Sequence, residues 1–333
     1  MNDLRYNIVT GDWVIIAPDR SRRPTEYITP EEANGPVPAH LSSCPFCPEN
    51  ESDTLPEEYS VSGPDGWLIR VVPNKFPALA RTGERKRHMG SLHRHVSAVG
   101  IHDVVIEHRR HDLTIATMSP GEVAGVLWVY RERFRQIRED TRIEAIVVFR
   151  NHQESAGSSL HHPHSQILAT PIVPAQFRQR IETAIRHYDT FGECVFCSMV
   201  RNEVEEGSRV VAATEHFVAF IPYAAVTPFH TWIVPRRHAS SFDTVTDVEI
   251  NDLGGVLRSL LLRLRTGLGD PPYNYIIRTI PIRTLNTEYF HWYLTIVPRL
   301  TRTAGFELGS GMFINGSLPE ENAEFLRTVQ VDG

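Results

Sequence analysis

The chain has 333 residues, with 34 Lys and Arg against 40 Asp and Glu, a formal net charge of −6 with His neutral. That balance excludes a general nucleic-acid binder, which needs a basic field to displace counterions, but it allows a small phosphorylated ligand held by a local cluster of donors. At 41% hydrophobic the sequence can build a sizeable core, yet no run approaches the ~18 apolar residues of a membrane span, and the start, MNDLRYNIVTGDW, lacks the pattern of a secretion signal, so a cytoplasmic protein is expected.

In chain order the first half offers CPFC (44–47), a strand with VVPNKFPAL (71–79) and a strand HDVVIEHRRH (102–111). A helix follows, opened by Ser119, Pro120 and Glu122 as a capping box, with Val123, Val126, Leu127, Tyr130, Phe134 and Ile137 at helical spacing. Then come a strand EAIVVFRN (144–151) and the element HPH (162–164). Residues 175–190 read as a joining helix whose apolar side is Ile181, Ile185 and Tyr188.

The second half repeats the order: CVFC (194–197), a strand with FIPYAAVTP (220–228), a strand HTWIVPRRH (230–238), and a helix capped by Thr246 and Glu249. That helix carries Ile250, Leu253, Val256, Leu257, Leu260 and Leu264, and is followed by a strand YNYIIRT (273–279), HWY (291–293) and a short helix at 319–329. Eight residues separate His111 from Ser119 and His238 from Thr246; His111 to His162 spans 51 residues and His238 to His291 spans 53. The chain therefore divides into two related halves, 1–174 and 175–333. Each is strand-rich with one long helix, an α+β pattern with mostly antiparallel sheet.

Each half supplies a Cys-x-x-Cys pair, a His ending a strand, and the first His of the later element. The sets are Cys44, Cys47, His111 and His162, and Cys194, Cys197, His238 and His291. In a chain expected to be cytosolic, this spacing favours metal ligands over disulfides. Two thiolates and two imidazoles make a closed tetrahedral shell suited to structural zinc, with no open position for a reacting water. A lone His carries little signal, so His93, His95, His102, His108, His152, His161 and His216 are read as ordinary residues.

The densest chemical signal is Asn151-His-Gln-Glu-Ser-Ala-Gly157-Ser-Ser159-Leu-His-His162-Pro163-His164-Ser165-Gln166. Its small residues let backbone N–H groups approach an anion closely. Side chains two apart share a face of an extended chain, which sets His164 and Gln166 beside His162. A neutral imidazole can attack phosphorus and split one transfer into two displacements. Gln166 can donate to the phosphoryl group without bringing a titrating proton. In the second half Tyr293 stands where His164 stands in the first, which suggests one catalytic and one degenerate half.

The pattern N-x5-G-x-S-x2-H-P-H-x-Q resembles the galactose-1-phosphate uridylyltransferase family, the transferase branch of the histidine-triad superfamily, over nearly the whole chain. The resemblance implies two histidine-triad-like repeats and a nucleotidylated intermediate at His164. Gln166 would position the phosphoryl group, Asn151, Gly157 and Ser159 would line the phosphate site, and metal would sit on Cys44, Cys47, His111 and His162. DWVIIAPDRSRRP (12–24) matches the family's phosphate-contacting arginines at Arg20 and Arg23, the first serving a neighbouring subunit, which implies a homodimer. By the same resemblance, PNKFPAL would put Asn74, Lys75 and Phe76 at the nucleotide base, and GFELGSGMFIN (305–315) would put Glu307 at a hexose hydroxyl. The second set of Cys and His resembles a subgroup with two zinc ions.

Three positions depart from the pattern: Gln153 and Ser165 replace glycines, and Phe313 stands where a sugar-contacting Gln is usual. The expected activity is ping-pong transfer of UMP from UDP-glucose to galactose 1-phosphate through His164. The alternative is an ADP-glucose phosphorylase using the same histidine, since relatives with Ser165 and this C-terminal pattern look like enzymes of adenylylated sugars. A histidine-triad hydrolase is disfavoured because Gln166 replaces the third His, and a non-catalytic zinc-stabilised binding protein would need none of Asn151, Gly157, Ser159, His164 and Gln166.

Overall fold

The computed structural model describes residues 2–18, 27 and 37–331. Arg20 and Arg23 lie outside the described residues. Strands β1 (Asp3–Tyr6) and β2 (Trp13–Ile16) form an antiparallel pair that β15 (Phe313–Asn315) extends in parallel, tying the two ends of the chain together. A hairpin of β5 (Arg87–Met89) and β6 (Arg94–Val96) stands apart.

The main sheet has ten strands. The first half contributes β3 (Tyr59–Gly63), β4 (Gly66–Pro73), β7 (Ile101–Ile106), β8 (Ala145–His152) and β9 (His164–Thr170). The second contributes β10 (Val210–Ala213), β11 (Phe217–Phe220), β12 (Thr231–Pro235), β13 (Tyr273–Arg278) and β14 (Tyr293–Pro298). The order is β3-β4-β7-β9-β8-β13-β14-β12-β11-β10, antiparallel at every step. It reads outward from the β8–β13 seam as the same five-strand unit twice.

Helices α1 (Pro120–Arg138) and α4 (Asp247–Leu268) cover one face and pack on each other across the seam. Both open with the expected capping boxes, Ser119 with Glu122 and Thr246 with Glu249. Their apolar stripes, Val123, Leu127, Tyr130 and Phe134 on one and Ile250, Leu253, Leu257 and Leu264 on the other, are buried against sheet residues such as Val71, Val105, Ile167, Tyr275 and Leu294. On the opposite face lie two smaller clusters, one around Cys44, Phe46 and Cys47, the other around Cys194, Phe196, Trp232 and Tyr293.

Several elements differ from the sequence reading. The strand expected at 71–79 ends at Pro73, because Pro73 and Pro77 cannot donate to a ladder. β7 stops at Ile106, and the chain to His111 is loop. β11 ends at Phe220, where a strand over 220–228 was expected, and the rest turns toward β12. Helix α2 (Ala175–Phe191) buries Phe177, Thr183 and Ala184, while Ile181, Ile185 and Tyr188 are only half-buried. Helix α3 (Val195–Glu206) starts directly on Cys194, and the short α5 (Gly305–Ser310) precedes β15. Helix α6 (Pro319–Thr328) closes the chain as expected. No helix among the described residues is long and apolar enough to cross a membrane.

Candidate active site and metal centres

The pleat of three neighbouring strands builds the first centre. β7 pairs Ile106 with His164, Val104 with Gln166 and His102 with Leu168, so these side chains share the face away from α1 and α4. On the other side of β9, Phe149 pairs with Gln166, and the same register sets Asn151 opposite His164. His164 is buried, with Phe46 against its ring at 5.5 Å.

Its protonation follows from its partners. Nδ1 lies 2.8 Å from the backbone oxygen of His162, so the Nδ1–H donates there and Nε2 keeps its lone pair. Burial, opposed by that bond and reinforced by the nearby Arg150 charge, pushes the His164 pKa down to about 4, leaving the ring neutral at neutral pH. A buried imidazole whose Nδ1–H is engaged, with no partner on Nε2 among the described residues, keeps the lone pair that attack on an electrophilic centre requires.

The loop after β8 carries Gly157 and Ser159. Gly157 has φ +95°, a conformation that favours glycine, and its carbonyl accepts from Asn151 Nδ2 at 3.1 Å. Asn274 of β13 donates to Asn151 Oδ1 at 2.8 Å, so the second half helps to orient this residue. Ser159 is exposed on the same loop. At the other end of the site, Phe76 N–H donates to Asn74 Oδ1 at 2.8 Å, and the Phe76 ring is 83% exposed. Lys75 is exposed beside it.

Behind the nucleophile strand, Ser165 points to the helix face. Its Oγ lies 2.6 Å from Tyr130 Oη, which also reaches Tyr275 Oη at 2.6 Å and Glu107 Oε1 at 3.0 Å. Glu107 pairs with the buried Arg150. Ser165, where a glycine was the usual residue, thus has a buried hydroxyl partner on α1.

The residue that sequence reasoning missed is His102. It was set aside as ordinary, yet its Nε2 lies 2.8 Å from Gln166 Oε1 and its Nδ1 accepts from Ala78 N–H at 3.1 Å. Only the strand register, with His102 two pleats from His164, could have signalled it. Among the other histidines set aside, His152 bonds Asp270 and His108 bonds Glu122, while His161 stacks on the ring of His111 at 5.7 Å.

Both expected Cys and His sets are brought together: Cys44, Cys47, His111 and His162, and Cys194, Cys197, His238 and His291, with all ligand atoms of each set within 4.8 Å of one another. Cys47 Sγ lies 3.6 Å from His111 Nδ1 and 3.5 Å from His162 Nδ1; Cys197 Sγ lies 3.3 Å and 3.7 Å from the Nδ1 atoms of His238 and His291. Those separations match the edges of a tetrahedron with bonds of roughly 2.3 Å to sulfur and 2.0 Å to nitrogen. Around the first set, His162 Nε2–H donates to the His108 carbonyl at 2.7 Å, fixing the ligating tautomer. In the second set His291 Nε2 is buried without a partner among the described residues, and His238 is exposed.

Glu307 is not brought to His164. It caps α5, with Ala304 N–H donating to its Oε2 at 3.0 Å, and lines a separate cleft with Arg299, Arg302 and Phe313. In the second half the frame persists with Tyr293 in the place of His164. Phe196 lies 5.3 Å from Tyr293, as Phe46 lies beside His164, and His230 Nε2 is 2.7 Å from Thr295 Oγ1, echoing His102 and Gln166. There Trp232 packs on Tyr293 at 4.6 Å.

The chain is similar to ADP-glucose phosphorylase of Arabidopsis thaliana, 37% identical and covering 99% of this chain and 93% of that protein. It is similar also to galactose-1-phosphate uridylyltransferase of Thermotoga maritima, 27% identical with both chains fully covered. The crystal structure of the Arabidopsis ADP-glucose phosphorylase with bound ADP-glucose superposes with a TM-score of 0.85 at 34% identity, covering all of both chains. A uridylyltransferase structure gives 0.75 at 28% identity, covering 99% of this chain and 98% of that one. Residues 1–174 match the N-terminal domain and residues 175–306 the C-terminal domain of galactose-1-phosphate uridyl transferase, and the chain belongs to that family.

Proposed function

We propose that this protein is a nucleotidyltransferase that moves a nucleoside monophosphate between sugar phosphates by way of His164. The observation that carries the reading is the His164 ring itself: buried, neutral, its Nδ1–H bound to the His162 carbonyl and its Nε2 free on the strand that presents Gln166. Nε2 attacks the α-phosphorus, the bond to the bridging oxygen breaks, and sugar 1-phosphate departs. A phosphate oxygen of the acceptor then attacks the same phosphorus and the N–P bond breaks. Leaving group and acceptor are both phosphates, so neither step needs a general acid, and Gln166 in place of an ionisable residue suits that chemistry. The Nδ1–H stays on the ring throughout, and the His162 carbonyl stabilises the imidazolium formed by nucleotidylation.

Two donors fit. The family match supports the uridylyl reading, from UDP-glucose to galactose 1-phosphate. The fuller identity with an ADP-glucose phosphorylase supports the adenylyl reading, with inorganic phosphate as acceptor. Intact-protein mass spectrometry after incubation with UDP-glucose and, separately, ADP-glucose distinguishes them by the mass of the adduct. The adduct should map to His164 and vanish in His164→Ala without loss of fold; an adduct surviving that change would refute the assignment.

The two Cys and His sets would hold zinc as structural ions, pinning the Cys loops to the strand ends. Metal analysis should return two zinc ions per chain, the ion at the more exposed His238 site leaving first under chelation. Glu307 lies away from His164 within one chain, and a homodimer would be the means of bringing it, with Arg20, to a neighbouring site.

A further inference from the structure

We infer that His102 is a positioning residue that sets the orientation of the Gln166 amide and ties it to the segment carrying Asn74 and Phe76. The inference rests on the nucleotidyl-transfer reading and goes beyond it, since nothing in that reading uses His102.

One donor at the ring is fixed in identity. Ala78 N–H, a backbone donor, points at His102 Nδ1 at 3.1 Å, so Nδ1 carries the lone pair. A neutral imidazole then carries its hydrogen on Nε2. That Nε2 is 2.8 Å from the Gln166 side chain, so the atom facing it must be an acceptor, the amide oxygen. With Oε1 engaged, the Gln166 NH2 group is turned the other way, with its two hydrogens left for a ligand. Were the amide reversed, an oxygen would face the ligand and repel phosphoryl oxygens.

A second amide lies at the same ring edge, with its orientation set by the backbone. Phe76 N–H donates to Asn74 Oδ1 at 2.8 Å, which leaves Asn74 Nδ2 beside His102, 3.2 Å from Nε2. Two N–H groups cannot bond to each other, and the shorter contact takes the imidazole hydrogen, so the Asn74 NH2 hydrogens are also left for a ligand. Asn74 N–H in turn donates to the His102 carbonyl at 2.8 Å. The loop 74–78 and the phosphoryl donor Gln166 are thereby locked to one imidazole. A base that shifts the loop would be felt at the phosphorus.

The test uses two replacements that separate the ring's two nitrogens. His102→Gln can place an N–H near the Nε2 position and keep the bond to Gln166. His102→Asn can keep an acceptor near Nδ1 for Ala78 but loses the donor. The readout is the single-turnover rate of His164 nucleotidylation, from whichever of UDP-glucose and ADP-glucose the wild type accepts, together with the donor concentration at half-saturation.

His102→Asn should slow nucleotidylation at least about tenfold with little change in half-saturation, and His102→Gln should stay within about threefold of wild type. His102→Asn should add no further loss in a Gln166→Ala background. The reverse order, Asn active and Gln impaired, would make the ring a loop anchor only and overturn the inference, as would two variants as fast as wild type. If neither variant folds, nitrogen NMR of wild-type His102, assigned through the Ala78 amide, decides: an Nε2–H tautomer upholds the inference and an Nδ1–H tautomer overturns it. A wild type that forms no adduct with either donor takes down the nucleotidyl-transfer reading as well, whereas failure in the variants alone leaves that reading standing.

Discussion

Gln153 has φ +69° and ψ 163°, a region close to glycine's own, and it sits where the family pattern has glycine. The strain is offset by a tether, since Gln153 Nε2 donates to the Asp270 carbonyl at 2.6 Å, binding the phosphate-side loop to the second half. Gln153→Gly removes strain and tether together, and stability should stay within about 1 kcal/mol of wild type. Gln153→Ala keeps the strain and loses the tether, and should fall about 1 kcal/mol below the glycine variant. Denaturant midpoints check the order; alanine above glycine would mean the backbone there is unstrained. At this scale the sequence was most legible where chemistry repeats. Cys and His in two sets at matched spacing identified both clusters, whereas His102 was invisible because its meaning lies in a pairing across strands. Glu307 was readable as an acid and not as a helix cap.

The start of α4 shows what an element owes to a few side chains. Glu249 accepts from the Thr246 backbone N–H at 2.8 Å and takes both arms of Arg237 at 2.7 and 2.8 Å. Burial alone would raise its pKa, but Arg237 and the cap outweigh it and bring the value down to about 2. A folded-state pKa below the unfolded value contributes stability above about pH 4.5 that is lost as pH falls toward 2. With Arg237 47% exposed, water discounts the pair to on the order of 2 kcal/mol. Glu249→Gln should therefore be less stable than wild type at pH 7, with the two stabilities converging only as pH falls to about 2; a gap independent of pH would place the effect in the cap alone. Both capping boxes were legible because each is a local pattern of four residues. The β2–β15 pairing was not, since Val14 and Phe313 are separated by nearly the whole chain and each strand is too short for a pattern of its own.

The molecule as a whole is held at its middle, where β8 meets β13 and α1 crosses α4. The crossing is close because Gly254 has no side chain: a Cβ there would lie 2.8 Å from the Ala124 nitrogen and 2.9 Å from the Pro120 carbonyl oxygen. Both are backbone atoms of α1 and cannot swing aside, so Gly254→Ala must push the helices apart, at a cost of roughly 1–3 kcal/mol. Gly255 is the matched control, with nothing within 4 Å of its added Cβ, and Gly255→Ala should gain up to about 1 kcal/mol from helix propensity. The repeat made one long helix per half legible, but no single-chain pattern says how closely two helices approach. The displacement should also reach the site, because α1 carries Tyr130, which holds Ser165 directly behind His164 and Glu107 beside Arg150. Gly254→Ala should thus slow nucleotidylation of His164 while Gly255→Ala leaves it unchanged. If the two variants unfold at the same denaturant concentration, the crossing is looser than the structure has it. If Gly254→Ala is destabilised yet nucleotidylates at the wild-type rate, the nucleophile strand is held by its own ladder and not by the helix behind it.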